Sequence, residues 1–171
     1  LNTPLETLFP YTTLFRSDKM RGRFSVSRLE TMFDDLLSGN GKAFSELLGG
    51  YLRDLVSVYD TANKESFYHG FVLGMTALFV SDYIIESNRE SGYGCFDLAI
   101  IPKDVSKAGV IMKFKVASRE ADMAAKAKEA LQQIEEREYV TEFCQRGIQR
   151  VWKYGIAFCG KKILAFQGPM C

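Results

Sequence analysis

Apolar residues recur at helical spacing from Leu29 onward. Leu29, Met32, Phe33, Leu36 and Leu37 fall on one face and predict a helix over residues 28–37. Ser38-Gly39-Asn40-Gly41 then breaks the pattern, as runs of glycine and small polar residues do. A second helix is predicted over residues 42–58, with Phe44, Leu47, Leu48, Tyr51, Leu52, Leu55 and Val56 on its apolar face. A third, over residues 64–80, is apolar nearly all round beyond Tyr68 and belongs at the centre of the core. The period then changes. Tyr83-Ile84-Ile85, residues 96–101 ended by Pro102, and residues 109–116 read as short strands. A long helix is predicted over residues 119–137, turning Met123, Ala127, Ala130, Leu131 and Ile134 inward. Residues 151–158 are apolar on both faces, as expected of an interior strand. Residues 163–166 pair with it across Gly160-Lys161-Lys162. Helices, three strands, a helix and two strands make an α/β chain: a small mixed sheet flanked by helices, with an N-terminal helical segment.

Composition narrows the class of function. At 171 residues the chain holds about one domain. Aromatics at 13% argue against disorder. A net charge of +1 excludes a grossly basic nucleic-acid tail and leaves a local basic patch open. The longest stretch without a charged residue, 66–81, falls short of the roughly 18–20 residues that span a bilayer, so it reads as a buried helix. No basic segment followed by an apolar core opens the chain, which predicts a cytoplasmic protein with no membrane partner. Four cysteines without a CxxC pair, and one histidine, argue against structural zinc. A core of this size does not need disulfides, so reduced thiols are expected. With His69 alone, a Ser-His-Asp triad is disfavoured. Any hydrolytic chemistry here falls to carboxylates, a lysine and a metal.

The residues that carry such chemistry lie between Glu65 and Gln133. Asp97 sits in an otherwise apolar strand, where a carboxylate needs a partner or a metal. Lys113 and Lys115 are two apart, so they share a strand face about 7 Å apart, with Met112, Phe114 and Val116 on the other. That polar face either turns toward Asp97 or faces solvent, and spacing alone leaves both open. His69 reads as a structural or polar lining residue rather than a base. Ser87-Asn88-Arg89-Glu90 is either a contact to a nucleic-acid backbone or the turn before Asp97. Gly92-Tyr93-Gly94 is not followed by GK[ST], so no phosphate-binding P-loop is expected. Lys103, Lys107, Lys126, Lys128, Lys161 and Lys162 are either phosphate contacts or solvated surface.

Six segments in order carry a resemblance. They are Glu65-Ser66-Phe67-Tyr68-His69-Gly70-Phe71, Ser87-Asn88-Arg89-Glu90-Ser91-Gly92-Tyr93-Gly94, Phe96-Asp97-Leu98, Phe114-Lys115-Val116, Ala130-Leu131-Gln132-Gln133-Ile134 and Tyr154-Gly155-Ile156-Ala157-Phe158. Together they resemble the PD-(D/E)XK nuclease-superfamily domain found C-terminal to AAA-ATPase-like domains in bacterial proteins, across residues 29–166. The resemblance implies a restriction-endonuclease-like α/β core that acts on nucleic acid with Mg²⁺. It implies Asp97 as a metal-binding and catalytic carboxylate, Glu65 as the acid of the preceding helix that completes the site, Lys115 as the catalytic lysine and Gln133 as a residue near the active site. Asn88 and Arg89 become candidate nucleic-acid contacts. An N-terminal AAA-ATPase-like domain, absent from this chain, becomes the partner expected in cis.

The chain departs from the family pattern at two positions. Lys113 stands where the family has the metal-binding Glu, and Cys95 where it usually has Arg. Glu65, Asp97, Lys113 and Lys115 sum to no net charge, against −2 with Glu at position 113. Severely weakened Mg²⁺ binding is the expectation, and with it a catalytically impaired nuclease-like domain. The alternative is a non-catalytic nucleic-acid-binding or protein-interaction module of a truncated AAA-ATPase-like protein. A purely structural appendage is the third reading.

Residues 7–17, Thr-Leu-Phe-Pro-Tyr-Thr-Thr-Leu-Phe-Arg-Ser, are identical to a translated short-read sequencing adapter. Residues 1–17 are therefore read as a non-native segment that adds little to the core, with the natural N-terminal portion missing. Residues 18–60 follow as a helical lead-in and residues 61–171 as the nuclease-like domain.

Overall fold

The computed structural model describes residues 25–57, 61, 64–87, 90–91, 94–136 and 139–170. Three helices come first: α1 (Val26–Leu37), α2 (Gly41–Leu55) and α3 (Glu65–Thr76). Ser25 caps α1 by accepting the Arg28 N–H at 3.2 Å, and Asn40 caps α2 by accepting the Ala43 N–H at 3.3 Å. The breaker at 38–41 thus ends one helix and starts the next. Gly39 makes the reversal with φ of 83°, a conformation open to glycine at little cost. Both α2 and α3 stop short of their predicted ends. Val56 turns to extended backbone, and the Thr76 hydroxyl donates to the Leu73 carbonyl at 2.7 Å where the helix tightens into a 3₁₀ turn, Ala77–Phe79.

The remainder runs β1 (Tyr83–Ser87), β2 (Glu90–Ser91), β3 (Gly94–Cys95), β4 (Leu98–Pro102), β5 (Gly109–Val116), a 3₁₀ turn (Glu120–Asp122), α4 (Met123–Glu136), α5 (Val140–Gln145), β6 (Val151–Cys159) and β7 (Lys162–Gln167). Five strands form one sheet in the order β1-β4-β5-β6-β7, and β2 pairs with β3 as a separate short hairpin. All neighbours in the main sheet are antiparallel except β5 and β6. A parallel pair needs a long crossover, and α4 with α5 supplies it. This is the mixed-sheet α/β architecture expected from the sequence. As predicted, β6 is interior and pairs with β7. The strand expected over 96–101 is shifted two residues in starting point, so Asp97 precedes β4. Pro102 lies inside β4, at its last position, where pairing to β5 has already ended and only Tyr83 of β1 lies opposite. The sequence pattern did not reveal α5, β2 or β3. The predicted long helix begins at Met123 rather than 119.

The sheet separates two cores. Leu98, Ile100, Val110, Met112, Phe114, Tyr154, Ile156 and Phe158 face α1, α2 and α3. Ala99, Ile111 and Val151 face Ile134, Phe143 and Ile148, and Ala157 packs on Met123 and Ala127. Polar tips lock the helices to strand β6. The Tyr154 hydroxyl donates to the Leu36 carbonyl at 2.7 Å, and the Trp152 indole N–H to Leu37 at 2.8 Å. Burial pushes the Tyr154 phenol well above its usual range, so it stays a neutral donor. The alternation along β4, β5 and β6 therefore gives one face to the N-terminal helices. The other face carries Asp97, Lys113 and Lys115 toward α4.

Candidate active site

The register of β4 against β5 sets up the site. Leu98 lies opposite Met112, and the Asp97 N–H donates to the Met112 carbonyl at 3.1 Å. Asp97 thus arrives beside Lys113. Its carboxylate continues the ladder: Oδ2 accepts the Phe114 N–H at 2.5 Å, and Oδ1 accepts from Lys113 Nζ at 3.2 Å. Asp97 is 6% exposed. The buried carboxylate that required a partner has found a backbone donor and an ammonium. Of the two readings of the polar strand face, the one turned toward Asp97 describes Lys113.

Lys115 reaches the other way. Its ammonium lies 3.5 Å from Glu129 Oε1 on α4, while Lys126 donates to Glu129 Oε2 at 2.8 Å. The Lys126 hydrogen bond, with the nearby Lys115 charge, holds the Glu129 carboxyl below its usual range. Sequence reasoning missed Glu129, because α4 carries charges of both signs and reads as a solvated face. The available signal was Lys115 itself, an inward-facing cation that needs an anion.

Gly155 lets α4 come close. Lys113 lies opposite Gly155, and Lys115 opposite Ala157. A Cβ at Gly155 would collide with the Ala127 carbonyl and the Leu131 N–H, both helix backbone. Gln133, half-buried on α4, is one helical turn beyond Glu129. Gly155, opposite Lys113, lies under the turn of α4 from Ala127 to Leu131, and Gln133 belongs to the turn that follows.

His69 ties the site from behind. Its Nε2 lies 3.0 Å from the Asp97 carbonyl and 2.9 Å from Ser87 Oγ at the end of β1. A carbonyl only accepts, so Nε2 carries the proton in this geometry. That is the polar lining role expected of His69. Glu65 opens α3, exposed, one turn before His69 on the same helix face. Asn88 and Arg89 lie outside the described residues, as do residues 1–17. The six candidate surface lysines each lie against a partner within the chain. Lys103 donates to the Val80 and Ser81 carbonyls, Lys107 lies over Tyr83, Lys126 pairs with Glu129, Lys128 lies over Phe166, Lys161 donates to Arg53 and Lys162 pairs with Glu120.

The donor set does not suit a divalent ion. Among the described residues no group of three or more His, Cys, Asp or Glu side chains is positioned to hold a metal. Both Asp97 oxygens are already engaged, one of them by a cation. A groove of about 560 Å³ between α2, the start of α4 and β7 involves none of Asp97, Lys113, Lys115, Glu129 and Gln133. No helix among the described residues is long and apolar enough to cross a membrane. Cys144 and Cys159 are free thiols.

The family model of the PD-(D/E)XK nuclease superfamily matches residues 63–167. That span holds α3 to the last residue of β7 and so every residue of the site, and it leaves out α1 and α2. A search of curated proteins gave no match.

Proposed function

This chain belongs to the PD-(D/E)XK nuclease superfamily, and from that premise we propose a nuclease-like domain that acts on nucleic acid and is catalytically impaired by Lys113. The superfamily generally uses divalent metal ions. Its signature runs from an Asp to an acid two residues before a Lys. Asp97 takes the first role and Lys115 the last, with Glu65 and Gln133 completing the centre from the neighbouring helices. At the middle position stands Lys113.

One observation carries the reading: the Lys113 ammonium sits 3.2 Å from Asp97 Oδ1. Mg²⁺ needs hard oxygen ligands. This centre has lost one such ligand, and a cation already neutralises another. The charge of Glu65, Asp97, Lys113 and Lys115 is zero, where an acid at position 113 makes it −2. The second reading is a non-catalytic nucleic-acid-binding or protein-interaction module. The engagement of both Asp97 oxygens within the fold favours it. On either reading, the resemblance to domains joined to AAA-ATPase-like domains makes such a domain the expected partner in cis.

The test is incubation of plasmid and of labelled DNA and RNA oligonucleotides with Mg²⁺ or Mn²⁺. Retention of nucleic acid without cutting is expected. Multiple-turnover cleavage by the chain as it stands overturns the impairment, and failure to retain any nucleic acid overturns the substrate class.

A further inference from the structure

We propose that the Lys113 ammonium is the built-in cation of this centre and holds a nucleic-acid phosphate against Asp97, so that nucleic-acid binding needs no divalent ion. The proposal rests on the nucleic-acid function proposed above and names how that site takes its ligand. An ammonium has three donors. One goes to Asp97 Oδ1, which leaves others for a phosphate oxygen. Lys113 therefore bridges carboxylate and phosphate without breaking its ion pair.

Depth orders the groups in the same sense. The Asp97 side chain is 8% exposed and Lys113 15%, so an anion reaching this pair meets the Lys113 ammonium before the Asp97 carboxylate, while Glu129, 44% exposed, stands at the rim between Lys115 and Lys126. Lys115 is loosely held, since its partner Glu129 lies at 3.5 Å and is shared with Lys126 at 2.8 Å. Asp97, Lys113, Lys115, Lys126 and Glu129 carry one net positive charge, and Glu65 of α3 brings the total to zero. Glu at position 113 would lower that total by two. A divalent ion would raise it by two, back to the same value. Lys113 and a metal ion are electrostatic alternatives in this centre, although only the metal makes a reactive water.

The experiment is fluorescence anisotropy with a short fluorescein-labelled DNA duplex, its single strand and the RNA of the same sequence. Each is titrated in EDTA and again with Ca²⁺, which shares the preference for hard oxygen ligands. The chain is expected to bind equally tightly in both buffers. Lys113→Glu should bind about tenfold more weakly or worse in EDTA and recover with Ca²⁺. Lys113→Gln, whose amide still donates to Asp97, should weaken similarly and not recover, and it decides the matter if Lys113→Glu does not fold. Binding by the chain that requires Ca²⁺, or Lys113→Gln binding as tightly as the chain in EDTA, overturns the built-in cation and leaves the nucleic-acid function standing. No binding of any probe overturns both.

Discussion

Lys113→Glu is expected to cut nucleic acid where the parent chain is expected not to. In plasmid and oligonucleotide assays with Mg²⁺, product formation should rise at least roughly a hundredfold over the parent chain, the equivalent of about 3 kcal/mol. The physical basis is the charge at one position. A unit charge about 4 Å away is worth roughly 4 kcal/mol at an effective dielectric near 20, and a divalent ion doubles that term. Reversing the sign at position 113 works twice, by removing a repulsion and supplying a ligand. The same change has a cost without metal, since Glu beside the buried Asp97 sets two carboxylates together. The melting temperature of Lys113→Glu should therefore rise on adding Mg²⁺, while that of the parent stays put. A variant that folds and binds nucleic acid yet never cuts supports the binding-module reading instead.

Gly155→Ala is expected to destabilise the domain by about 3 kcal/mol, at the upper end of the range for overpacked interiors. The added methyl meets the Ala127 carbonyl and the Leu131 N–H of α4, and lies 2.8 Å from Leu131 Cβ. The first two are helix backbone and cannot rotate away. Relief requires α4 to lift from β6, which also draws Glu129 away from Lys115. Urea unfolding measures the loss. An unchanged midpoint would mean that α4 does not seat on Gly155, and that this seat does not hold Glu129 against Lys115.

Much of the scaffold could be read from periodicity. The buried faces of α1 and α2 follow the helical spacing of Leu29 to Leu36 and Phe44 to Leu52, and the double-sided apolar run at 151–158 marked the interior strand. The elements that escaped are short. Six-residue α5 and the two-residue strands β2 and β3 carry too few residues to show a period. The site was legible in part for a related reason. Spacing put Lys113 and Lys115 on one face and demanded a partner for Asp97. It did not give the cross-strand register that sets Lys113 beside Asp97. Register depends on two segments at once, whereas a period is a property of one. Glu129 and Gly155 escaped for the same reason, since their roles exist only once α4 has docked. The roles proposed for Glu65 and Gln133 rest on family resemblance rather than on any local pattern.

The most direct measurement is calorimetric titration of Mg²⁺ into the chain as it stands, with Lys113→Glu titrated beside it. The ammonium on Asp97 predicts no binding by the chain tighter than about 1 mM, a standard free energy of only about −4 kcal/mol. The Glu variant should bind well below that concentration. Micromolar Mg²⁺ affinity in the unmodified chain would contradict the claim that Lys113 has displaced the metal from this centre.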